Sequence, residues 1–485
     1  MQFSNKLIYE LIIKKMILKL VFTLIMMIAA AQPSFAMSFD ETRHLLARTG
    51  FGSPSPNEID RMMPLSYGEA VDSILDGVLN KAITPAPEFL NDPSDHPKLK
   101  HMDSKTKKAF QKRGQEERKS IKLWWIKEML VTPSPFTERM TLFWHNHFVS
   151  EISKVQYARW SYEQNALFRT HAIGNFKNLL IDVSTGPAMM KYLDTSKNKK
   201  NKPNENFARE ILELFTLGEG HVYTEEDIRE SSRAYTGWQI DYSTAKFVWK
   251  VWSHDKGVKT FLNREGQFDG LDIIDIILEQ PRVAEYLAEK LWWEFISEEA
   301  DKTEIKRLAK IIRDNDYNLK PMMRALFMSK SFRDPKNRGI LIKSPVELTI
   351  GTLRLLGLDP PDIKKVWIHQ KSSGQDVFQP PDVKGWRTGK AWISSTTTLS
   401  RNNFLKQAAR GFMSYRKENN MNEMQLRKVP FGTVNPRTLQ KRERDKPGYL
   451  KKLVLAIEPV MNKKFTGKKR VVIKNLLLDP AYQVK

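Results

Sequence analysis

Apolar positions recur at three- and four-residue spacing along most of this 485-residue chain. That is the period of helices with one face turned to a core. The clearest case lies within 204–238. On a helical wheel started at Glu205, one side collects Glu205, Asn206, Arg209, Glu210 and Glu213, and the other Phe207, Ala208, Ile211, Leu212, Leu214 and Phe215. Gly218 and Gly220 end that helix. A second begins at Thr224, with Asp227 three residues on as an imperfect capping box, and stops at Gly237. The same reasoning predicts helices over 38–48, 57–63, 68–79, 120–132, 158–170, 175–183, 271–278, 282–296, 302–315, 319–328, 345–356 and 399–415, and a further one opening at Ser134-Pro135.

Strand signals are few. KFVWKVW at 246–252 is the run rich in aromatic and β-branched residues. There is no βαβ alternation and no repeat with a period of about 20–50 residues. The expected fold is therefore mainly α: a large multi-helix globular array with few short strands and long basic loops. Two stretches break the helical pattern. Four prolines and then a lysine-rich run make 84–119 an expected mobile basic insertion or linker leading into a helix, and 421–447 reads as a basic connector.

The N-terminus carries Lys14 and Lys15, an apolar run over 16–31 broken by Lys19, and then Ser34-Phe35-Ala36. That order predicts a signal peptide over 1–36, from a start at Met1 or Met16. The apolar run is short for a bilayer span of about 20 residues, which favours cleavage over anchoring. The rest of the chain, 37–485, is expected to be one large helical domain with no transmembrane span, exported to the periplasm or secreted. Cysteine is absent, which excludes disulfides, thiol nucleophiles and cysteine-based metal centres.

The formal charge is +23, and loss of residues 1–36 would leave about +20. Such an excess attracts polyanions without choosing among them. Export argues against nucleic acid and toward anionic lipid head groups, lipopolysaccharide or acidic glycans.

Four motifs carry candidate chemistry. The acidic helix is either a solvated face, with Glu205, Arg209 and Glu213 as an ion-pair ladder worth about 0.2–0.5 kcal/mol per pair, or the floor of a cleft in which its carboxylates and His221 act. In WHNHF (144–148), His145 and His147 project about 200° apart on a regular helix, so one metal ion cannot take both. A buried, hydrogen-bonded structural histidine is the other reading there. HDKGVK (254–259) offers His254, Asp255 and Lys259, either as a reactive loop or as a turn in which Asp255 caps backbone donors and Gly257 takes an unusual φ. QPPDVKGWRTGKAW sets Trp386 and Trp392 among Gln375, Asp382 and Arg387, as sugar platforms or as pins onto the core. No phosphate-binding glycine loop, nucleotide fingerprint, His-Glu-x-x-His or Gly-x-Ser-x-Gly elbow is present.

Taken in order, ERMTLFWHNHF, NENFAREILELFTLGEGHVYTEEDIRESSRAYTGW, HDKGVKTFL and FQPPDVKGW resemble the bacterial domain-of-unknown-function family numbered 1800. The resemblance runs from about Phe39 to the closing LLLDPAYQ. It implies an exported protein and brings no established reaction. Where members often have Leu-Gly after the HDxGxKxx motif, this chain has Leu262-Asn263. Asn tolerates positive φ, so the turn is expected to survive.

Two function classes are compatible with these motifs. One is a hydrolase or lyase acting on an anionic or carbohydrate polymer of the cell envelope. Its acid/base groups would come from Glu205, Glu210, Glu213, His145, His254 and Asp255, and at least one Glu would need a raised pKa. Arg209, Lys259, Trp238, Trp386 and Trp392 would hold substrate, and His145, His147 and His221 could ligate a divalent metal such as Zn, Mn or Ca. The other is a non-catalytic envelope scaffold or binding module for anionic glycan, lipid or a secreted partner. Convergence of these side chains within about 3–5 Å around an open cavity separates the two.

Overall fold

Helix starts are written into this sequence as Ser-x-x-Glu. Ser38, Ser55, Ser66 and Ser344 each accept a bond from the backbone N–H three residues on, where a Glu reaches back to the cap. Thr224 and Asp227 form the same box, complete rather than imperfect. The computed structural model describes residues 36–91, 103–414, 448–461 and 469–485. The expected signal segment short of Ala36, the expected connector 421–447 and the centre of the expected 84–119 insertion lie outside the described residues.

The fold is mainly α, with two two-stranded antiparallel sheets among the described residues. Its middle is the helix Pro135–His147, in which every residue from Phe136 to His147 except Asn146 is buried. Around it pack Ala158–Thr170, Pro281–Phe295 and the long helix Ser104–Val131. Pro281–Phe295, Lys302–Asp314 and Leu319–Phe327 pack in sequence on one side, and Pro345–Leu356, Ile363–Ser372 and Ser395–Ser414 on another. A single hydrophobic cluster runs through all of them, from Met37 to Tyr482. No helix among the described residues is long and apolar enough to cross a membrane.

Three local expectations are corrected. From Ser104 the basic run is helix rather than linker, capped by Asp103 and continuous to Val131. Lys, Arg, Glu and Gln are good helix formers, and Arg113 pairs with Glu117 one turn on at 2.8 Å. The acidic helix is α only over Glu205–Glu210 and continues as a π turn over Ile211–Thr216, with the Leu217 N–H bonded to the Leu212 carbonyl at 2.9 Å. A wheel of 100° per residue therefore misplaces Glu213 and everything after it. KFVWKVW is strand only over Lys246–Trp249 (β2), paired with Trp238–Asp241 (β1). A second hairpin, Lys259–Phe261 (β3) and Arg264–Gly266 (β4), turns through Leu262 at φ 46° and Asn263 at φ 63°. Both φ values are positive, as a two-residue hairpin turn requires, so the Asn does serve the turn.

Candidate functional site

Glu138 opens the buried helix, and its carboxylate is fully buried. It takes the Trp125 indole N–H at 2.7 Å and two bonds from Arg169, at 2.6 and 2.9 Å. Arg169 also donates to Asn165 Oδ1, and Asn165 Nδ2 donates to His145 Nε2 at 3.0 Å. His145 is enclosed by the rings of Trp125, Phe168 and Phe378. Burial, helped by Arg169, pushes its pKa down to about 3, so it is neutral at physiological pH. This histidine ends a structural relay rather than facing a ligand.

His147 points the other way. Its Nε2 donates to the Phe215 carbonyl in the π turn at 3.0 Å, which leaves Nδ1 as an acceptor. Burial, and then the Lys290 ammonium beside it, lower its pKa to about 3. Nδ1 is buried without a hydrogen-bond partner among the described residues, as are Arg139 Nε and Trp386 Nε1. All three residues line one cavity of about 490 Å³.

That cavity is built by helix Pro135–His147, helix Pro281–Phe295 and the tryptophan loop. Asn146 Oδ1 accepts the Trp386 N–H at 2.6 Å and pins the loop to the helix. Gly385, at φ 89°, makes room for this: a Cβ there would sit 2.4 Å from Asn146 Oδ1. Trp293, Trp386 and Trp392 supply aromatic walls. Arg139 pairs with Glu294 and, at 3.1 Å, with Glu347, which also takes the Lys485 ammonium. Burial works to raise the Glu347 carboxyl, but Arg139 and Lys485 outweigh it and hold the pKa at about 2. Burial lowers Lys485 to about 8. Lys290 and Arg387 also line the cavity and have no ion-pair partner among the described residues. The lining holds Arg139, Lys290, Lys384, Arg387 and Lys485 against Glu294, Glu298 and Glu347, an excess of positive charge.

Lys384 joins this cavity to the acidic turn, since its ammonium lies 3.1 Å from Glu219. Glu210, which is not part of the cavity lining but feels the Lys384 charge, is half-buried and without a hydrogen bond or ion pair among the described residues. Burial first, and Glu213 second, push its carboxyl up to about 7. Arg209 is engaged by its acidic neighbours. It bonds Glu225 twice, Glu213 and Glu205, and these hydrogen bonds hold its pKa high.

The remaining candidates lie elsewhere. Asp255 takes Arg233 Nε and the Gly257 N–H, each at 2.8 Å, and His254 Nδ1 lies 3.0 Å from the Thr236 carbonyl. Lys259 is buried, with its ammonium donating to the carbonyls of Asp255 and Gly257. HDKGVK is thus arranged as the capped turn, though Gly257 is not among the residues with positive φ. Trp238, the first residue of β1, is buried against Tyr235 and Phe247. His221 is exposed beside Gly218.

The structure does not gather His145, His147 and His221. Among the described residues no group of three or more His, Asp or Glu side chains is placed to hold a metal ion. The physical reason is the one the spacing implied, since the first two project from opposite sides of one helix. Sequence reasoning missed Arg139, Lys290, Glu294, Glu347 and Lys485. A usable signal existed for Arg139, a charge inside the apolar Phe136–Phe143 face, and for Lys290 and Glu294, one turn apart on a mostly apolar helix.

A family model described as "Protein of unknown function (DUF1800)" matches residues 44–483. No curated protein and no solved structure matches the chain.

Proposed function

The chain belongs to the DUF1800 family of proteins of unknown function, and from that premise we propose that it holds an acidic sugar unit of an envelope polymer in the cavity beside His147, with Glu210 as the acid/base group of a hydrolase or lyase. The observation that carries this reading is the cavity itself. Among the described residues it combines indole walls, cations without an ion pair at Lys290 and Arg387, and buried polar atoms without hydrogen-bond partners at His147, Arg139 and Trp386. Aromatic faces suit a sugar ring, and the cations suit its carboxylate or sulfate. A carboxyl with a pKa near 7 can both give and take a proton at neutral pH. The reading includes export, on the strength of the N-terminal segment, and mapping the mature N-terminus by sequencing would check it.

Titration calorimetry with an oligouronide and its carboxyl-reduced, neutral counterpart tests the binding. We expect the charged oligomer to bind at least tenfold more tightly, and Lys290→Met and Arg387→Ala to weaken it. Equal affinity for both, or none for either, would sink the proposal. Glu210→Gln should keep affinity and lose turnover.

One set of observations favours the non-catalytic alternative, a scaffold or binding module. Arg209, His145, Asp255 and Lys259 are all engaged in internal bonds. Binding without turnover of any uronide polymer would select it.

A further inference from the structure

We propose that the β1–β2 hairpin and the adjoining lysine loop form a docking surface for an anionic lipid membrane. At 71% exposure, Trp252 is the most exposed large apolar side chain among the described residues. Val251, Trp249 and Phe247, close to it in sequence, are also 46%, 40% and 36% exposed. A folded protein has no internal reason to leave this much indole surface in water, since burying it would be favourable.

The surroundings of these rings decide the partner. The Lys200 N–H bonds the Ser253 carbonyl at 3.0 Å, which fastens the tip of the 197–202 loop to the residue after Trp252. Lys199, Lys200 and Lys202 are exposed there, Lys246 and Lys256 are exposed on the hairpin side, and Lys250 stands 5.8 Å from the Trp252 ring. None of these six forms an ion pair with any described carboxylate. The neighbouring acids are occupied: Asp194 pairs with Lys197 at 2.7 Å, Asp241 caps Ser243 and Thr244, and Asp255 pairs with Arg233 at 2.8 Å.

Indole rings flanked by uncompensated lysines match the head-group layer of an anionic bilayer. The ring lies between acyl chains and water there, and each ammonium meets a phosphate. With most of its surface free, Trp252 has no second wall against which to clamp a sugar ring, and the lysine fringe would resist a basic protein partner. The surface is separate from the cavity and does not depend on what the cavity binds.

Co-sedimentation of the purified protein with phosphatidylcholine vesicles, with and without phosphatidylglycerol, tests this. We expect partitioning onto the phosphatidylglycerol vesicles only, weakening as salt rises. Trp252→Ala should weaken it about tenfold. Replacing Lys199, Lys200 and Lys202 by Gln should cost on the order of a hundredfold, at about one factor of five per lysine. The control replaces Lys302, Lys306 and Lys365, exposed on other helices, by Gln; it removes the same charge and should change partitioning by less than about twofold. Thermal melting confirms that each variant is folded. Equal losses from the two lysine triples, or no effect of Trp252→Ala, would overturn the proposal. So would competition by dextran sulfate that is as effective against Trp252→Ala as against the parent, since that marks a surface for soluble polyanions instead.

Discussion

The buried helix Pro135–His147 and the acidic helix Glu205–Glu210 with its π turn use the same side chains, Glu paired with Arg, to opposite ends. Glu138 and Arg169 are each about 1% exposed, whereas Arg209 is 33% exposed and shares its guanidinium among three carboxylates. Counting Arg–Glu hydrogen bonds alone, four against two, the second arrangement is the richer. Its effect on stability is nonetheless expected to be smaller, because water screens it and would solvate each partner if the other were lost. In the interior no such fallback exists, and a charge without its partner is strongly destabilising. Glu210 falls between the two: dry enough to feel burial, yet left unpaired among the described residues.

The largest expected effect comes from Glu138→Ala, which strands Arg169 and the Trp125 indole N–H. It should lower unfolding free energy by about 3–5 kcal/mol in urea titration. A loss below 1 kcal/mol would erase the contrast between the two regions.

Next is the response to acid. His145 and His147 have pKa values near 3 in the folded chain and near 6.5 when unfolded. The unfolded chain therefore takes up protons first. The stability these groups confer is complete above pH 6.5 and drains away as pH falls toward 3, by about 2 kcal/mol per histidine at pH 5. A melting temperature that falls between pH 7 and pH 5 is the expected observation, with a shallower slope in His145→Gln.

Glu210 has the opposite sign. Its folded pKa of about 7 lies above the usual 4.5, so its contribution is lost as pH rises from 4.5 through 7. Glu210→Gln should therefore stabilise the protein at pH 8 by about 1–2 kcal/mol, allowing for solvent screening of a half-buried group, and be neutral at pH 4. No gain at pH 8 would mean that Glu210 is as well solvated as the Arg209 ladder. The smallest change is expected for Arg209→Ala, about 0–1 kcal/mol and decreasing with salt. A larger loss would place this surface clamp in the same class as the buried pair.

Much of the helical framework was legible in the chain. The helices 158–170 and 345–356 fall where the pattern puts them, the first on its apolar period and the second on its Ser344 capping box and first-turn proline. Other elements were not. Ile363–Ser372 has a weak apolar period, and the π turn has no local signature, since one extra residue in a helix changes hydrogen-bond partners without changing composition. Of the candidate residues, Trp386 and Trp392 line a cavity and burial pushes the Glu210 carboxyl up to about 7, placements that follow from packing and not from the helical pattern. The HDKGVK loop, although it has one residue of every charge type, is directed inward by Arg233 and Thr236, and nothing within the six residues announces those partners.

By itself the sequence determined the class of fold, the helix starts, the absence of thiol chemistry and the positive field, because each depends on neighbours in the chain or on a count. Tertiary structure alone decided which charges are buried and which are left unpaired. Arg139, Lys290, Glu347 and Lys485 come from four distant segments, and only packing brings them around one cavity. A carboxylate or ammonium has the same letter in every environment. Its protonation, and hence its chemistry, is set by how much water and how much opposite charge the folded chain leaves beside it.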